Sequence, residues 1–424
     1  MLTTEAHGKT DVGRKRQHNE DAMLVDAGLG LYIVADGMGG HAAGEVASAR
    51  AVEVVKQHVA ANRAIFKELE KDPSQANRAA AASVVEVAVQ RACADIYKQA
   101  VADASKRGMG TTFVCLALGG SKGIIGHVGD SRVYLVRDGQ CHRLTEDHTL
   151  ISAQLKAGTI TKEQAATSQY RNVITRAVGI QESVQVDTLL VDAVPGDTFI
   201  LCSDGLHGYL SDDEVATVVA SAPLEQLPEK FVNLANERGG KDNITTVVVG
   251  CSGSDPAAAT EEVAEAQSRM EALKKIPLFR HLTYKEQTAV LSTATTRTFP
   301  AGREIVTEGQ PSEELFVVIR GRVSVEKAGV EIAELRAGGH FGEMGLIDNA
   351  PRSATVRAVE PTRTMVISRG DLMGLMKRES ILAVKLLWSF VQVLSDRLRE
   401  TNSELSEARQ ELAAAQAIQP FAEE

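Results

Sequence analysis

Leu31-Tyr32-Ile33-Val34-Ala35-Asp36-Gly37 is an apolar run that stops at a carboxylate and a glycine. A short, β-branched, uninterrupted apolar run closed by a turn residue reads as a strand buried on both faces. The figure recurs further along the chain. Phe199-Ile200-Leu201-Cys202 leads into Ser203-Asp204-Gly205, and Gly129-Asp130 stands ahead of Val133-Tyr134-Leu135-Val136. Asp242 lies just before Ile244-Thr245-Thr246-Val247-Val248-Val249. In an antiparallel sheet the end of one strand lies beside the start of its neighbour, so Asp36, Asp130, Asp204 and Asp242 can meet on one rim.

Carboxylates do not gather at a buried rim without a cation, because desolvation and mutual repulsion would drive their pKa values up. Ligands made only of oxygen select a hard ion such as Mg²⁺ or Mn²⁺ over zinc. The neighbouring glycines let a backbone carbonyl approach such an ion without interference from a Cβ. A single Asp-Gly pair is more often a turn than a ligand; the set carries the reading.

Outward from the rim, residues 46–69 and 78–104 lack glycine, are rich in Ala, Glu, Gln and Val, and predict two long helices. Strands and helices in separate layers place this part in the α+β class. Residues 250–256 break into Gly, Ser, Asp and Pro, and the Ala- and Glu-dense stretch after them predicts a helical linker. From 298 to 368, short strand-like runs alternate with glycines such as Gly302, Gly309, Gly321, Gly329 and Gly338, which favours an all-β roll. The expected division is a first domain over 1–255, a linker over 256–276, a second domain over 277–380 and a C-terminal helix over 381–424. Within that helix Val384, Leu387, Val391, Leu394, Leu398, Thr401, Leu405, Ala408, Leu412 and Ala415 alternate by three and four residues, a heptad seam suited to a homodimer. Glu404 and Arg409 fall at g and the following e of that register, and Trp388 falls at an e position. Core packing or interface filling is the expected role of Trp388, ahead of capping a ligand.

Composition narrows the partners. Lys plus Arg total 46 against 56 Asp plus Glu, a net charge of −10, which gives no support to nucleic-acid binding through bulk positive charge. No apolar stretch approaches the ~18–20 residues that span a bilayer, and residues 1–16 lack the apolar core of a signal peptide. Cys93, Cys115, Cys141, Cys202 and Cys251 are scattered, as suits reduced thiols. The expected setting is cytoplasmic, with neither membrane nor nucleic acid as partner.

The ordered motifs carry a resemblance. Asp11-Val12-Gly13-Arg14-Lys15-Arg16-Gln17-His18-Asn19-Glu20-Asp21, Val34-Ala35-Asp36-Gly37-Met38-Gly39-Gly40-His41 and Gly110-Thr111-Thr112 begin the series. Val128-Gly129-Asp130-Ser131-Arg132, Leu144-Thr145-Glu146-Asp147-His148, Cys202-Ser203-Asp204-Gly205-Leu206 and Lys241-Asp242-Asn243-Ile244-Thr245 continue it. Over residues 7–250 the chain resembles the metal-dependent serine/threonine phosphatases of the protein phosphatase 2C type, in their bacterial form. The resemblance implies an α/β/β/α sandwich that hydrolyses phosphoserine and phosphothreonine in proteins with two Mn²⁺ or Mg²⁺ ions. By the same resemblance Asp36 bridges the ions, the Gly37 carbonyl binds one, and Asp204 and Asp242 complete the other. Asp130 matches the position that serves a third ion, Glu20 and Asp21 hold metal-bound waters, and Arg16 grips the substrate phosphate. Animal members carry a histidine directly after the Asp-Gly where Met38 stands here, which leaves His41 as the candidate general acid or the leaving group to water. Residues 151–179, with Arg171-Asn172-Val173-Ile174-Thr175-Arg176, resemble the family's flap over the substrate.

In the second domain, Phe341-Gly342-Glu343-Met344-Gly345-Leu346 is followed by Pro351-Arg352-Ser353-Ala354-Thr355-Val356. Backbone N–H groups near Glu343 could face an anion that Arg352 pairs with. With Pro277-Leu278-Phe279 ahead of it, the run resembles the phosphate-binding cassette of cyclic-nucleotide-binding domains, a β-roll with flanking helices. That implies Glu343 at the ribose 2′-OH, Arg352 on the cyclic phosphate, Gly342 as a further ligand-binding residue, and Ser353 beside the arginine favouring cAMP over cGMP. The 25 residues that follow Arg399 are expected to be too few for a helix-turn-helix. The combined expectation is a cyclic-nucleotide-regulated protein phosphatase. The alternatives are a non-catalytic nucleotide-sensing scaffold that binds phosphoproteins, and a phosphatase dedicated to one partner such as a sigma-factor antagonist.

Overall fold

The computed structural model describes residues 2–39, 43–170, 173–347 and 350–417. The chain divides into two compact units, Met1–Ala266 and Gln267–Glu424, and one helix, Pro256–Lys275, runs through the division.

In the first unit, strand Leu31–Met38 serves two layers through alternate residues. Leu31, Ile33 and Ala35 pack with Ala47, Ala51 and Val55 of helix Ala43–Ala61 and with Ala88 and Ala92 of helix Gln75–Ala102. Tyr32 points the other way, and its hydroxyl meets Thr4 Oγ1 of strand Leu2–Asp11 at 2.8 Å. All of Leu31–Ala35 is therefore out of water. One antiparallel sheet runs Leu2–Asp11, Ile244–Gly253, Thr198–Cys202, Arg132–Arg137, Gln140–Arg143. The other runs Asp21–Asp26, Leu31–Met38, Phe113–Gly119, Lys122–Val128, Asp187–Asp192, with the short Gly110–Thr111 also on Leu31–Met38. Helices Asp212–Val219 and Leu227–Glu237 cover the first sheet, with Val215, Phe231 and Val232 against Tyr134, Ile200 and Val248. The result is the α/β/β/α sandwich the sequence leads one to expect.

The helix expected over 46–69 is two helices, Ala43–Ala61 and Arg63–Lys71. Asn62 stands between them at φ −109°, ψ 19°, with its side-chain amide donating to the His58 carbonyl at 2.8 Å. A short amide that competes for a backbone acceptor interrupts a helix that propensity alone would continue.

Strand pairing delivers the aspartates to one end of the sandwich. Asp21 lies directly opposite Asp36 in the register of their two strands. Asp204 follows strand Thr198–Cys202, whose Cys202 pairs with Arg132 on one side and Thr246 on the other. Two glycines let the chain close up there. A Cβ on Gly205 would stand 1.9 Å from the Asn243 carbonyl oxygen, and one on Gly37 would stand 2.2 Å from that of Gly44.

The second unit is built on two four-stranded antiparallel sheets. One orders Thr295–Phe299, Thr362–Ser368, Glu314–Arg320 and His340–Phe341; the other orders Glu304–Val306, Thr355–Ala358, Val323–Lys327 and Val330–Leu335. Phe316 and Phe341 stack with ring centroids 5.0 Å apart inside a core completed by Val306, Val318, Val323, Val356 and Val366. Helices Tyr284–Thr293, Arg369–Arg378 and Ser380–Ala417 flank the roll. Helix Arg369–Arg378 ends at Glu379, which sits at φ −117°, ψ 82°, and the long helix starts at Ser380, one residue ahead of the expected 381. On the long helix Leu382, Leu386 and Phe390 are buried, whereas Val384, Leu387, Val391, Leu394, Leu398, Leu405 and Leu412 remain 41–66% exposed. Trp388 is 60% exposed, so core packing is not its role: it projects to solvent, away from the face that Leu386 and Phe390 bury. The side chains of Glu404 and Ala415 lie outside the described residues.

Candidate active site

Five aspartates meet at the end of the sandwich. The Asp36 carboxyl is driven well above the usual carboxylate range by burial, and further by Asp21, Asp204, Asp130 and Asp242 around it. Burial also lifts Asp130 to about 7, with Asp204 and Asp147 adding to the push. Asp204 is raised by burial and by Asp242, and its carboxyl hydrogen bonds that of Asp36. Asp21 is raised by burial although the Ser203 hydroxyl donates to its Oδ2 at 2.9 Å. Asp21 Oδ1 and Asp204 Oδ1 are buried and accept no hydrogen bond from the described residues. Orphaned acceptor oxygens among mutually repelling carboxyls fit a hard cation, and the donor set contains neither sulfur nor imidazole.

Main-chain and hydroxyl contacts hold these acids in place. The Asp36 carbonyl accepts from Thr112 N–H at 2.8 Å and from Thr111 Oγ1 at 2.9 Å, while Asp36 N–H donates to Thr112 Oγ1 at 3.0 Å. Thr112 Oγ1 lies 2.7 Å from Ser131 Oγ, next to Asp130. The Asp130 carbonyl is 2.9 Å from His207 Nε2, and burial holds His207 down at about 3, so the neutral ring is the donor. Arg132 makes two bonds to Asp147, at 2.9 and 2.7 Å. Burial alone would raise Asp147; those bonds pull it to about 2.

Across the rim, Asn243 donates to the carbonyls of Val12 and His18 at 3.0 and 2.9 Å and accepts from Glu20 N–H at 2.9 Å. It thereby pins the loop that carries Arg16, whose Nη2 reaches Asp242 Oδ2 at 2.7 Å. Glu20 turns toward the start of helix Ala43–Ala61, where Gly44 N–H donates to it; burial raises it and Arg16 draws it back. The fold thus gathers Arg16, Glu20, Asp21, Asp36, Gly37, Asp130, Asp204 and Asp242 at one end of the sandwich. His41, Arg171 and Asn172 lie outside the described residues. Thr112, Ser203 and Asn243 were not singled out from sequence as site residues. The signal that could have found them is a small polar residue within strand-like apolar runs beside a motif aspartate, where burial demands a partner.

In the second unit Gly342 sits at φ +85°, and a Cβ there would stand 2.3 Å from Arg352 Nη1. Glu343 opens the short turn Glu343–Leu346. Arg352 is only 8% exposed; it donates to Ser312 Oγ and to the Glu314 carbonyl, and its Nε has no partner among the described residues. Burial pushes its guanidinium pKa down, against the pull of Glu314 and Glu343. Ser353, beside it, is exposed.

The sequence profile of the family Protein phosphatase 2C matches residues 11–248, and that of the Cyclic nucleotide-binding domain matches residues 296–379. The chain is 36% identical over 252 residues to the serine/threonine phosphatase stp of Listeria monocytogenes, covering 58% of this chain and 94% of that one. It is 37% identical over 250 residues to protein phosphatase PhpP of Streptococcus pneumoniae, covering 58% and 97%. Among solved structures, the serine/threonine phosphatase of S. agalactiae superposes with a TM-score of 0.52 at 34% identity, over 58% of this chain and 99% of the other. The catalytic domain of the phosphatase PstP in complex with two manganese ions gives 0.51 at 30% identity, over 60% and 100%.

The raised carboxyls set a pH signature. A folded carboxyl held above its unfolded value binds extra protons in the native state, so its burial costs least at low pH and most once it must ionise. Chelator-treated protein is therefore expected to gain thermal stability as pH falls from about 7 toward about 5, the window between the raised Asp130 value and the ordinary carboxylate range. Mn²⁺ is expected to stabilise more at pH 7.5 than at pH 5.5. Melting curves at the two pH values, with chelator or Mn²⁺, check this; equal stabilisation at both would refute it.

Proposed function

We propose a function from a settled premise: the chain belongs to the protein phosphatase 2C family, and it is a serine/threonine protein phosphatase that also carries a cyclic nucleotide-binding domain. The observation that carries the site reading is the crowd of raised carboxyls around Asp36. Asp36, the Gly37 carbonyl, Asp204 and Asp242 are the proposed holders of two Mn²⁺ or Mg²⁺ ions, and Asp130 of a third. Bound there, the ions would supply Lewis acidity toward a water and the phosphoryl oxygens. The relative whose structure contains two manganese ions supports the stoichiometry.

The chain's own groups do the rest. Arg16 is half exposed and poised on Asp242, from which its planar fork can turn to a phosphate dianion. Glu20 and Asp21 orient water at the rim, and the Ser203 hydroxyl holds Asp21 in place for that role. His41 is the proposed proton donor to the departing serine or threonine oxygen. Free cysteines and the absence, among the described residues, of any helix long and apolar enough to cross a membrane support a cytoplasmic setting.

In the roll, Arg352 is a buried cation with an unpartnered Nε, which supports a cyclic phosphate as its counter-ion. Gly342 and Glu343 are then the ribose contacts, and Ser353 beside the arginine favours cAMP over cGMP. Nucleotide binding is proposed to tune phosphatase output, and the exposed seam of the long helix to pair two chains.

On a phosphoserine peptide, Asp36→Asn is expected to lower kcat by about 10²–10³-fold at saturating Mn²⁺. Activity equal to wild type would refute the site. Arg352→Ala is expected to abolish the change in rate with added cAMP and to weaken binding in calorimetry more than about tenfold, as loss of a buried charge partner should. No heat with either nucleotide in the wild type would leave the roll without a ligand.

Leu394→Glu with Leu398→Glu is expected to convert a dimer to a monomer in sedimentation; a wild type that is already monomeric at tens of micromolar would contradict the seam.

A further inference from the structure

Beside the Asp130 turn lies a partly buried grouping that plays no part in the reading above. Ligand-type atoms of His127, His148 and Asp187 lie within 4.8 Å of one another. Two imidazoles and a carboxylate make a transition-metal trio in composition. Here, however, a cation already stands among them. Arg176 Nη1 donates to Asp187 Oδ1 at 2.9 Å and lies 3.1 Å from His148 Nε2. The His127 ring packs on that of His148 with centroids 4.5 Å apart. A guanidinium in the place a metal would take points to an internal lock.

What the lock holds follows from the other side of His148. Gly129 N–H donates to His148 Nδ1 at 3.1 Å, and His148 N–H donates to the Gly129 carbonyl at 2.8 Å. With Nδ1 accepting, the proton of the neutral ring is on Nε2, which donates to Asp187 Oδ2 at 3.1 Å. Gly129 itself sits at φ +104° against Thr112, so the turn into Asp130 has little freedom of its own.

The same residue anchors the flap-like segment. The His148 carbonyl accepts from Thr175 N–H at 2.7 Å, Leu150 N–H donates to the Val173 carbonyl at 2.9 Å, and Thr149 forms a bridge with Ile174. Residues 148–150 thus tie both stems of that segment together, and Arg176, at its second stem, closes the ring onto Asp187.

We propose that His148 is a positioning residue: its imidazole and main chain join the stems of residues 150–176 to the Asp130 turn, so that the segment facing the substrate and the carboxylate that takes the additional cation are set as one piece. The proposal rests on the reading of Asp130 as a metal ligand. Asp187 acts through His148 by accepting from Nε2 and so fixing its tautomer and ring plane, and Arg176 acts by holding Asp187.

The experiment is a Mn²⁺ titration of phosphatase rate on full-length protein, with the phosphopeptide KM measured alongside. His148→Asn keeps an acceptor near Nδ1 and loses the reach to Asp187; His148→Gln does the reverse. Losing the bond to Gly129 should raise half-saturating Mn²⁺ roughly tenfold, the value of about one hydrogen bond, and raise KM with it. His148→Asn should stay within about threefold of wild type, and Asp187→Asn, which keeps an acceptor for the ring, should shift by about threefold. The Asp187 variant keeps the outcome independent of whether His148→Gln folds. Variants that lower melting temperature and kcat together, with half-saturating Mn²⁺ and KM at wild-type values, would overturn the proposal. So would one tightly held zinc per chain that His148→Gln abolishes, since the trio would then be a metal site. If Asp130→Asn leaves half-saturating Mn²⁺ unchanged, the ligand reading of Asp130 fails first, and the route through it fails with it.

Discussion

Like charges cannot be crowded at the edge of a sandwich unless something of opposite sign joins them. Asp36 is enclosed by four further aspartates, and both burial and repulsion act against its ionisation. Much of the first unit is arranged to hold that unfavourable cluster still. Thr111 and Thr112 fix the Asp36 main chain, His207 fixes Asp130, Ser203 fixes Asp21, and Asn243 fixes the loop that brings Arg16 to Asp242. Gly37 and Gly205 permit approaches that any Cβ would block. A site held this tightly reorganises little when a cation and a phosphate enter, which is where electrostatic catalysis gains most.

The second unit presents the opposite sign. Arg352 is buried with two neutral acceptors and an unpartnered Nε, so a cyclic phosphate would satisfy the site as a cation satisfies the rim. For such binding to alter phosphatase rate, the nucleotide must favour one arrangement of the chain over another, by no more than its difference in affinity for the two. The long helix of the second unit is packed through Leu382, Leu386 and Phe390 and exposed along its seam.

How much of this was legible in sequence depended on whether local chemistry decided the outcome. Apolar runs closed by Asp-Gly marked both the strands and the rim, because strand burial and metal ligation each leave a short, local signature. Glycine spacing marked the roll. A break decided by a single side chain was not legible: Asn62 interrupts a helix that propensity would have continued. Trp388 could not be placed either, since one residue of heptad phase separates the packed face from the exposed one. Nor could Asn243, Thr112 and Ser203 be given roles, because their partners lie tens to hundreds of positions away. The motif Asp147-His148 was visible, but the lock to Gly129, Arg176 and Asp187 needed the folded register.

The central claim is that the carboxyls of the rim carry protons which a divalent cation displaces. Calorimetric titration of chelator-stripped protein with Mn²⁺ near pH 6.5, in two buffers of different ionisation enthalpy, counts the protons released per ion bound. The account predicts net proton release at that pH, shrinking as pH rises through about 7, where Asp130 and Asp21 ionise unaided. Tight Mn²⁺ binding with no proton release at pH 6.5, or no Mn²⁺ binding at all, would contradict it.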